Sequence, residues 1–239
     1  MRDFWAGLRA IIAKDIVVEL RARQVLPTMV VLGMLIVFIL RMVSEAGPVG
    51  PGTAVMGAAA LWIAFLFSGL LAQERSFAAE QQNGCIDGLL MAPLDAGTIY
   101  LAKLLANVIM LSIFEAIVVP IVVIAFNLRV VGGWLWLMVV LLLGNLAISS
   151  VGTLFSAAVQ LARTRGSLLS IVVLVILMPV MIPASFALLV LFGAMPETVA
   201  GSGSLAFVGS FRSAVGYIIA FDAIFVVACW LLFGMVIEE

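Results

Sequence analysis

A chain of 239 residues that is 65% hydrophobic and only 10% charged, with a mean hydropathy of +1.32, lies outside the range of soluble domains, where about a quarter of residues are charged. It reads as an integral membrane protein. A net charge of -1 with twelve scattered Lys and Arg sets nucleic acid aside as a partner, and the lack of histidine removes His triads, H-E-x-x-H zinc sites and His-ligated haem.

Residues 2 to 24 form the first helix candidate. Phe4, Trp5, Leu8, Ile11 and Ile12 share one narrow arc at helical spacing, which suits a helix lying in a membrane surface. Asp15 and Glu19 continue the Ile11 row, with Arg21 and Arg23 beyond, so charge replaces apolar surface in the second half. Two uses fit: a surface anchor with a Glu19–Arg23 pair four residues apart, or an elbow helix that contacts a cytoplasmic partner. The eight charges of this segment and its lack of an apolar h-region argue against a cleavable signal.

A spanning helix needs about 20 largely apolar residues, and six segments meet or approach that length: 25–43, 53–72, 104–126, 134–160, 168–192 and 213–237. Arg41 weakens the first, although its long stem can carry the charge to the interface. The uncharged run from Val130 to Ala162 would extend about 50 Å as one helix, more than the roughly 30 Å hydrocarbon core. Part of it therefore belongs to the interface, and Trp134 and Trp136 mark that end. With an internal N-terminus, nine basic residues fall inside (Arg2, Arg9, Lys14, Arg21, Arg23, Arg75, Lys103, Arg163, Arg165). Three fall near outer ends (Arg41, Arg129, Arg212), so both termini are expected in the cytoplasm.

The polar break between the second and third spans then lies on the inner side. Ser76 to Gln82 favours helix, Gly84 and Gly88 loosen it, and Ile86, Leu89, Leu90 and Met91 give a short apolar face. Pro93 ends the segment, and Asp95 or Thr98 can cap the helix entering the third span. A short amphipathic surface helix, a turn and a re-entry are expected. Such a helix can rest on headgroups or present its acidic side to another protein.

Neither of the two lysines, in "AKD" and "AKL", sits in a P-loop context, so the chain has no such device for using ATP. No catalytic constellation and no metal site are expected. Cys85 lies in the polar break and Cys229 in an apolar run, and both are read as free thiols.

"KDIVVELRAR" near the N-terminus, then "RSFAAE", "DGLLMAPLD" and "IYLAKLLAN", occur in that order along the chain. This chain resembles the permeases of ABC-2 type exporters, and more specifically the haem exporter B family, membrane subunits of bacterial cytochrome c maturation exporters. The resemblance runs over nearly the whole chain, and "QQNGC" is less charged than the pattern there. It implies an all-α polytopic fold: one permease domain over 1–239 in the bacterial inner membrane, with an elbow helix carrying Asp15, Glu19, Arg21 and Arg23. It implies a coupling helix with Glu80, Cys85, Asp87, Leu89, Leu90, Pro93 and Asp95 docking on a separate ABC ATPase subunit that binds ATP. A second copy of the chain, membrane lipid, a haem-handling membrane subunit and a haem chaperone are the other implied partners. No cofactor is expected on this chain itself, and haem enters only as a transported or handled ligand.

Glu115 and Asp222 fall well inside spans, where a charge is expensive. Glu115 is expected to act as interhelical glue with Asn145 or Asn107 rather than to line a path. Pro179 and Pro183 are expected to kink the fifth span, and Gly152 with Ser156 offers a small-xxx-small contact face. With no histidine, Cys85 and the twelve methionines are the remaining soft ligands should haem be held. Two alternatives remain: a scaffold whose ATPase-driven movement releases a loaded haem chaperone without transport, and a secondary transporter, for which no internal repeat is evident.

Overall fold

The computed structural model describes residues 2–22, 25–45, 51–82, 95–161, 166–198 and 208–238. Seven helices account for nearly all of them: α1 (Arg2–Ala22), α2 (Val25–Glu45), α3 (Pro51–Gln82), α4 (Ala96–Ala125), α5 (Trp134–Leu161), α6 (Gly166–Leu191) and α7 (Phe211–Glu238). Six of these, α2 to α7, are long and apolar enough to cross a membrane. A single bridge, Thr198 to Ser210, is the only β pairing among the described residues.

The helix ends follow local chemistry. Proline opens α3, where its missing N–H is not needed. Ser210 caps α7, its Oγ accepting from the Ser213 N–H at 3.3 Å. α4 and α6 end alike: Asn127 (φ 50°) and Gly193 (φ 70°) take left-handed geometry, while Leu128 N–H reaches Val123 O and Ala194 N–H reaches Leu189 O, both at 2.9 Å. Asn and Gly are the residues that tolerate that backbone.

Several expected boundaries shift. The segment Ser76 to Gln82 is no separate surface helix: it continues α3, because nothing before Gly84 breaks an alanine- and glutamine-rich stretch. The third span starts at Ala96 rather than 104, so Lys103 lies within the helix. Asp95 occupies the N-cap position of α4, but its side chain makes no capping bond, and the turn closes through Thr98 N–H to Asp95 O at 2.8 Å. Thr98 is buried and is not the cap. α6 stays helical through both Pro179 and Pro183.

Two apolar clusters hold the bundle. The larger fills the space between α2, α3, α4, α5, α6 and the start of α7, with Phe65, Phe114, Leu141, Ile148 and Phe186 fully buried. The smaller joins α1, α4, α5 and α7 through Leu8, Ile11, Tyr100, Leu154, Cys229 and Phe233. This second cluster places α1, the start of α4 and the last turns of α7 at one end of the bundle. Arg41, near the end of α2, lies 6.0 Å from the centre of the Phe126 ring, so its charge is met by an aromatic face.

Candidate functional site

The first feature is a junction at the α1 end of the bundle. Asp15 Oδ2 of α1 lies 2.9 Å from Lys103 Nζ of α4, with the lysine side chain only 2% exposed and the aspartate 12% exposed. Asp15 Oδ1 also meets Lys14 Nζ at 3.2 Å. One turn further, Glu19 Oε1 accepts the Val25 N–H at 3.1 Å and so serves the open N-terminus of α2. Burial pushes the Glu19 carboxyl above its ordinary range, opposed by hydrogen bonds from the Val25 and Leu26 backbone. The acidic row of α1 thus turns inward, whereas the sequence suggested a surface or partner-facing row. Arg21 is exposed, and Arg23, with its expected pair to Glu19, lies outside the described residues.

The second feature is a seam of polar side chains between α4 and α5. Asn107 Nδ2 donates to Thr153 Oγ1 at 2.8 Å, and Thr153 Oγ1 donates to Ser149 O at 2.6 Å. Ser149 Oγ donates to Asn145 Oδ1 at 3.1 Å, while Asn145 Nδ2 donates to Ser112 Oγ and Val108 O at 3.0 and 3.1 Å. Asn145, Ser149 and Thr153 recur every four residues, hence on one face of α5. Glu115 ends the seam at mid-helix: it is 6% exposed, its carboxyl is within reach of Asn145, and Oε1 has no hydrogen-bond donor among the described residues. Of the two expected partners, Asn145 is therefore the neighbour and Asn107 is engaged elsewhere.

Asp222 on α7 is 3% exposed, and neither carboxyl oxygen has a donor among the described residues. Gly152 faces Gln73 of α3, so that a Cβ there would overlap Gln73 Oε1. Cys229 is buried and free. The expected coupling residues Cys85, Asp87, Leu89, Leu90 and Pro93 lie outside the described residues, as does the side chain of Glu80. Asp95 is exposed at the mouth of α4.

Lys103, Gln73 and Thr153 were not singled out as site residues from sequence, and Asn107 was named only as a possible partner of Glu115. Lys103 carried a usable signal: a lysine eight positions into an apolar helix needs a counter-charge, and the Asp15 and Glu19 row is the nearest acidic row on a neighbouring helix.

The sequence profile of the CcmB protein family matches residues 6–229. The chain belongs to the CcmB protein family. Among its curated relatives, "Heme exporter protein B" of Rhodobacter capsulatus is 34% identical over 123 residues, 52% of this chain and 56% of the relative. The protein of the same name in Paracoccus denitrificans is 35% identical over 138 residues, 57% and 62% of the two chains. That of Haemophilus influenzae is 32% identical over 127 residues, 53% and 57%. These alignments span less than two thirds of the relatives' own length, whereas the family profile covers nearly all of this chain.

Proposed function

We propose that this chain is the permease subunit of an ABC exporter that serves cytochrome c maturation in a bacterial inner membrane, with both termini cytoplasmic. The chain itself performs no catalysis, and ATP is bound and hydrolysed on a separate ATPase subunit. Support comes from family membership, from relatives named for haem export, and from the absence of a P-loop in the sequence. The single observation that carries the mechanism is the Asp15–Lys103 ion pair. Residues 83–94 connect α3 to α4, so a partner pulling on that connection moves α4 directly and, through Lys103, moves α1 with it.

The ATPase then docks on the segment containing Glu80, Cys85, Asp87, Leu89, Leu90, Pro93 and Asp95. A second copy of the chain completes the transporter by two-fold symmetry. Suitable surface exists on α2 and α7, the two least buried spans, which expose Val31, Leu35, Phe38 and Met42 on one and Ile224, Val227 and Leu231 on the other. A haem-handling membrane subunit and a haem chaperone are the remaining partners.

A second reading keeps the ATPase but moves no haem through the chain, so that the stroke releases a loaded chaperone. The α4–α5 seam favours it, because its amide and hydroxyl groups are spent on one another rather than lining a passage. The test is affinity purification of the chain co-expressed with the ATPase and the haem-handling subunit. Glu80→Arg or Asp87→Arg is expected to release the ATPase and stop cytochrome c maturation. Unchanged co-purification and ATP turnover in both variants would remove the docking proposal. Haem that accumulates outside ATP-driven vesicles separates transport from chaperone release.

A further inference from the structure

The end of the bundle opposite α1 carries a cavity of about 680 Å³ that neither the sequence nor the family explains. Its floor forms where Val131 and Gly132 N–H both donate to Leu191 O, at 2.9 and 3.3 Å, pinning the approach to α5 against the end of α6. Its opposite side forms where Phe211 N–H donates to Glu197 O at 2.9 Å, beside the Thr198–Ser210 bridge. Trp136 and Phe211 meet edge to face at 5.5 Å on the wall between them. The volume suits a ligand of cofactor or lipid-headgroup size.

The charges at this cavity point to the ligand. Arg212 and Glu197 both line it and both are exposed, and their backbones are brought together by the Glu197–Phe211 bond, yet neither has an ion-pair partner among the described residues. Arg212 lies in the first turn of α7, where its N–H also has no acceptor among the described residues and the helix end favours an anion. A cation and an anion lining one cavity with an apolar wall, with no ion pair to either among the described residues, match a zwitterionic amphiphile. Trp134 and Trp136, exposed at the start of α5, set this level at the headgroup layer.

We propose that the cavity binds an aminophospholipid of the leaflet opposite α1. Its phosphate is taken by Arg212 and the first-turn amide, its primary ammonium by Glu197, and its upper acyl chain by Trp136, Phe211 and Leu191. A choline headgroup has no N–H to give Glu197, and a glycerol headgroup has no positive charge. The bound lipid fastens the ends of α5, α6 and α7.

The test is native mass spectrometry of the full chain titrated with phosphatidylethanolamine, phosphatidylcholine and phosphatidylglycerol of identical acyl chains. The wild-type chain is expected to retain the ethanolamine lipid at about fivefold lower concentration than the other two. Glu197→Gln should erase the preference over phosphatidylglycerol, Arg212→Ala should weaken all three, and Arg212→Lys should largely restore them. Both side chains are exposed, so these variants keep the fold. Equal retention of the three lipids by the wild-type chain, which needs no variant, would overturn the proposal in favour of annular lipid only. Displacement by free phosphoethanolamine at the same concentration would overturn the lipid assignment in favour of a soluble headgroup ligand.

Discussion

Removing the Asp15 carboxylate should unfasten α1 from the bundle. At the 2.9 Å separation of Asp15 Oδ2 and Lys103 Nζ, an effective dielectric of about 20 gives a gross attraction of about 6 kcal/mol. Much of this offsets the loss of hydration, so the pair adds little net stability, but deleting one partner of a buried pair costs about 3 kcal/mol. The two deletions are unequal. Asp15→Ala takes the aspartate counter-charge from a lysine that is 2% exposed, whereas Lys103→Met leaves an aspartate that is 12% exposed and still beside Lys14. Asp15→Ala should therefore be the more damaging, Asp15→Asn intermediate, and Lys103→Met mild. Cys229 reports the event, because it sits in the same cluster as Leu8 and Ile11 of α1. In a Cys85→Ala background, thiol labelling of Cys229 in detergent should rise about 150-fold for Asp15→Ala if opening is fast and 3 kcal/mol is lost. The double variant Asp15→Leu with Lys103→Met should label nearly as slowly as the parent. If Asp15→Ala labels at the parental rate, the ion pair does not hold α1 in place.

Three other outcomes follow from the same geometry. Gly152→Ala places a methyl on Gln73 Oε1, which is buried and packed; a loss of about 1 to 3 kcal/mol is expected, read as a lower melting temperature, and an unchanged value would contradict the α3–α5 contact. A double-mutant cycle on Asn107→Ala and Thr153→Val should give a coupling of about 0.6 to 1.7 kcal/mol, and strict additivity would deny the seam any energetic role. Glu115→Gln keeps shape and hydrogen bonding and should leave cytochrome c maturation nearly intact, whereas Glu115→Leu should weaken assembly by about 1 kcal/mol. An assembled but inactive Glu115→Gln complex would instead place that carboxyl in the working path.

The spans were legible in the sequence because about 20 apolar residues in a row have few other uses. Their ends were less so: the third span extends back to Ala96 because Lys103, which looks like a boundary residue, is neutralised by Asp15 from a helix some ninety positions away. The lysine signals that a counter-charge is needed, but no local pattern says which helix brings it. The same holds for Asn107 and Thr153, each unremarkable on its own helix and meaningful only once α4 and α5 lie side by side. Glu115 was legible as a mid-span carboxylate needing protein around it, but the sequence left its neighbour open between Asn145 and Asn107, because only the packing of α4 on α5 separates the two. The inward turn of Asp15 and Glu19 was missed, the two acids being read as part of a surface anchor or a partner-facing elbow, because the apolar arc of α1 seemed to fail there. In the fold the arc continues, with paired acids in place of apolar side chains.

The central claim, that a separate ATPase drives this chain through residues 83–94, is tested most directly by cross-linking from Cys85. Cys229 is changed to alanine, the ATPase is co-expressed, and a short heterobifunctional reagent is attached to Cys85 in inverted and right-side-out vesicles. The expected result is labelling only from the cytoplasmic face and a covalent adduct with the ATPase whose yield changes when ATP is added. Ready labelling of Cys85 from the outer face, or no adduct with the ATPase in a complex that still hydrolyses ATP and matures cytochrome c, would contradict it.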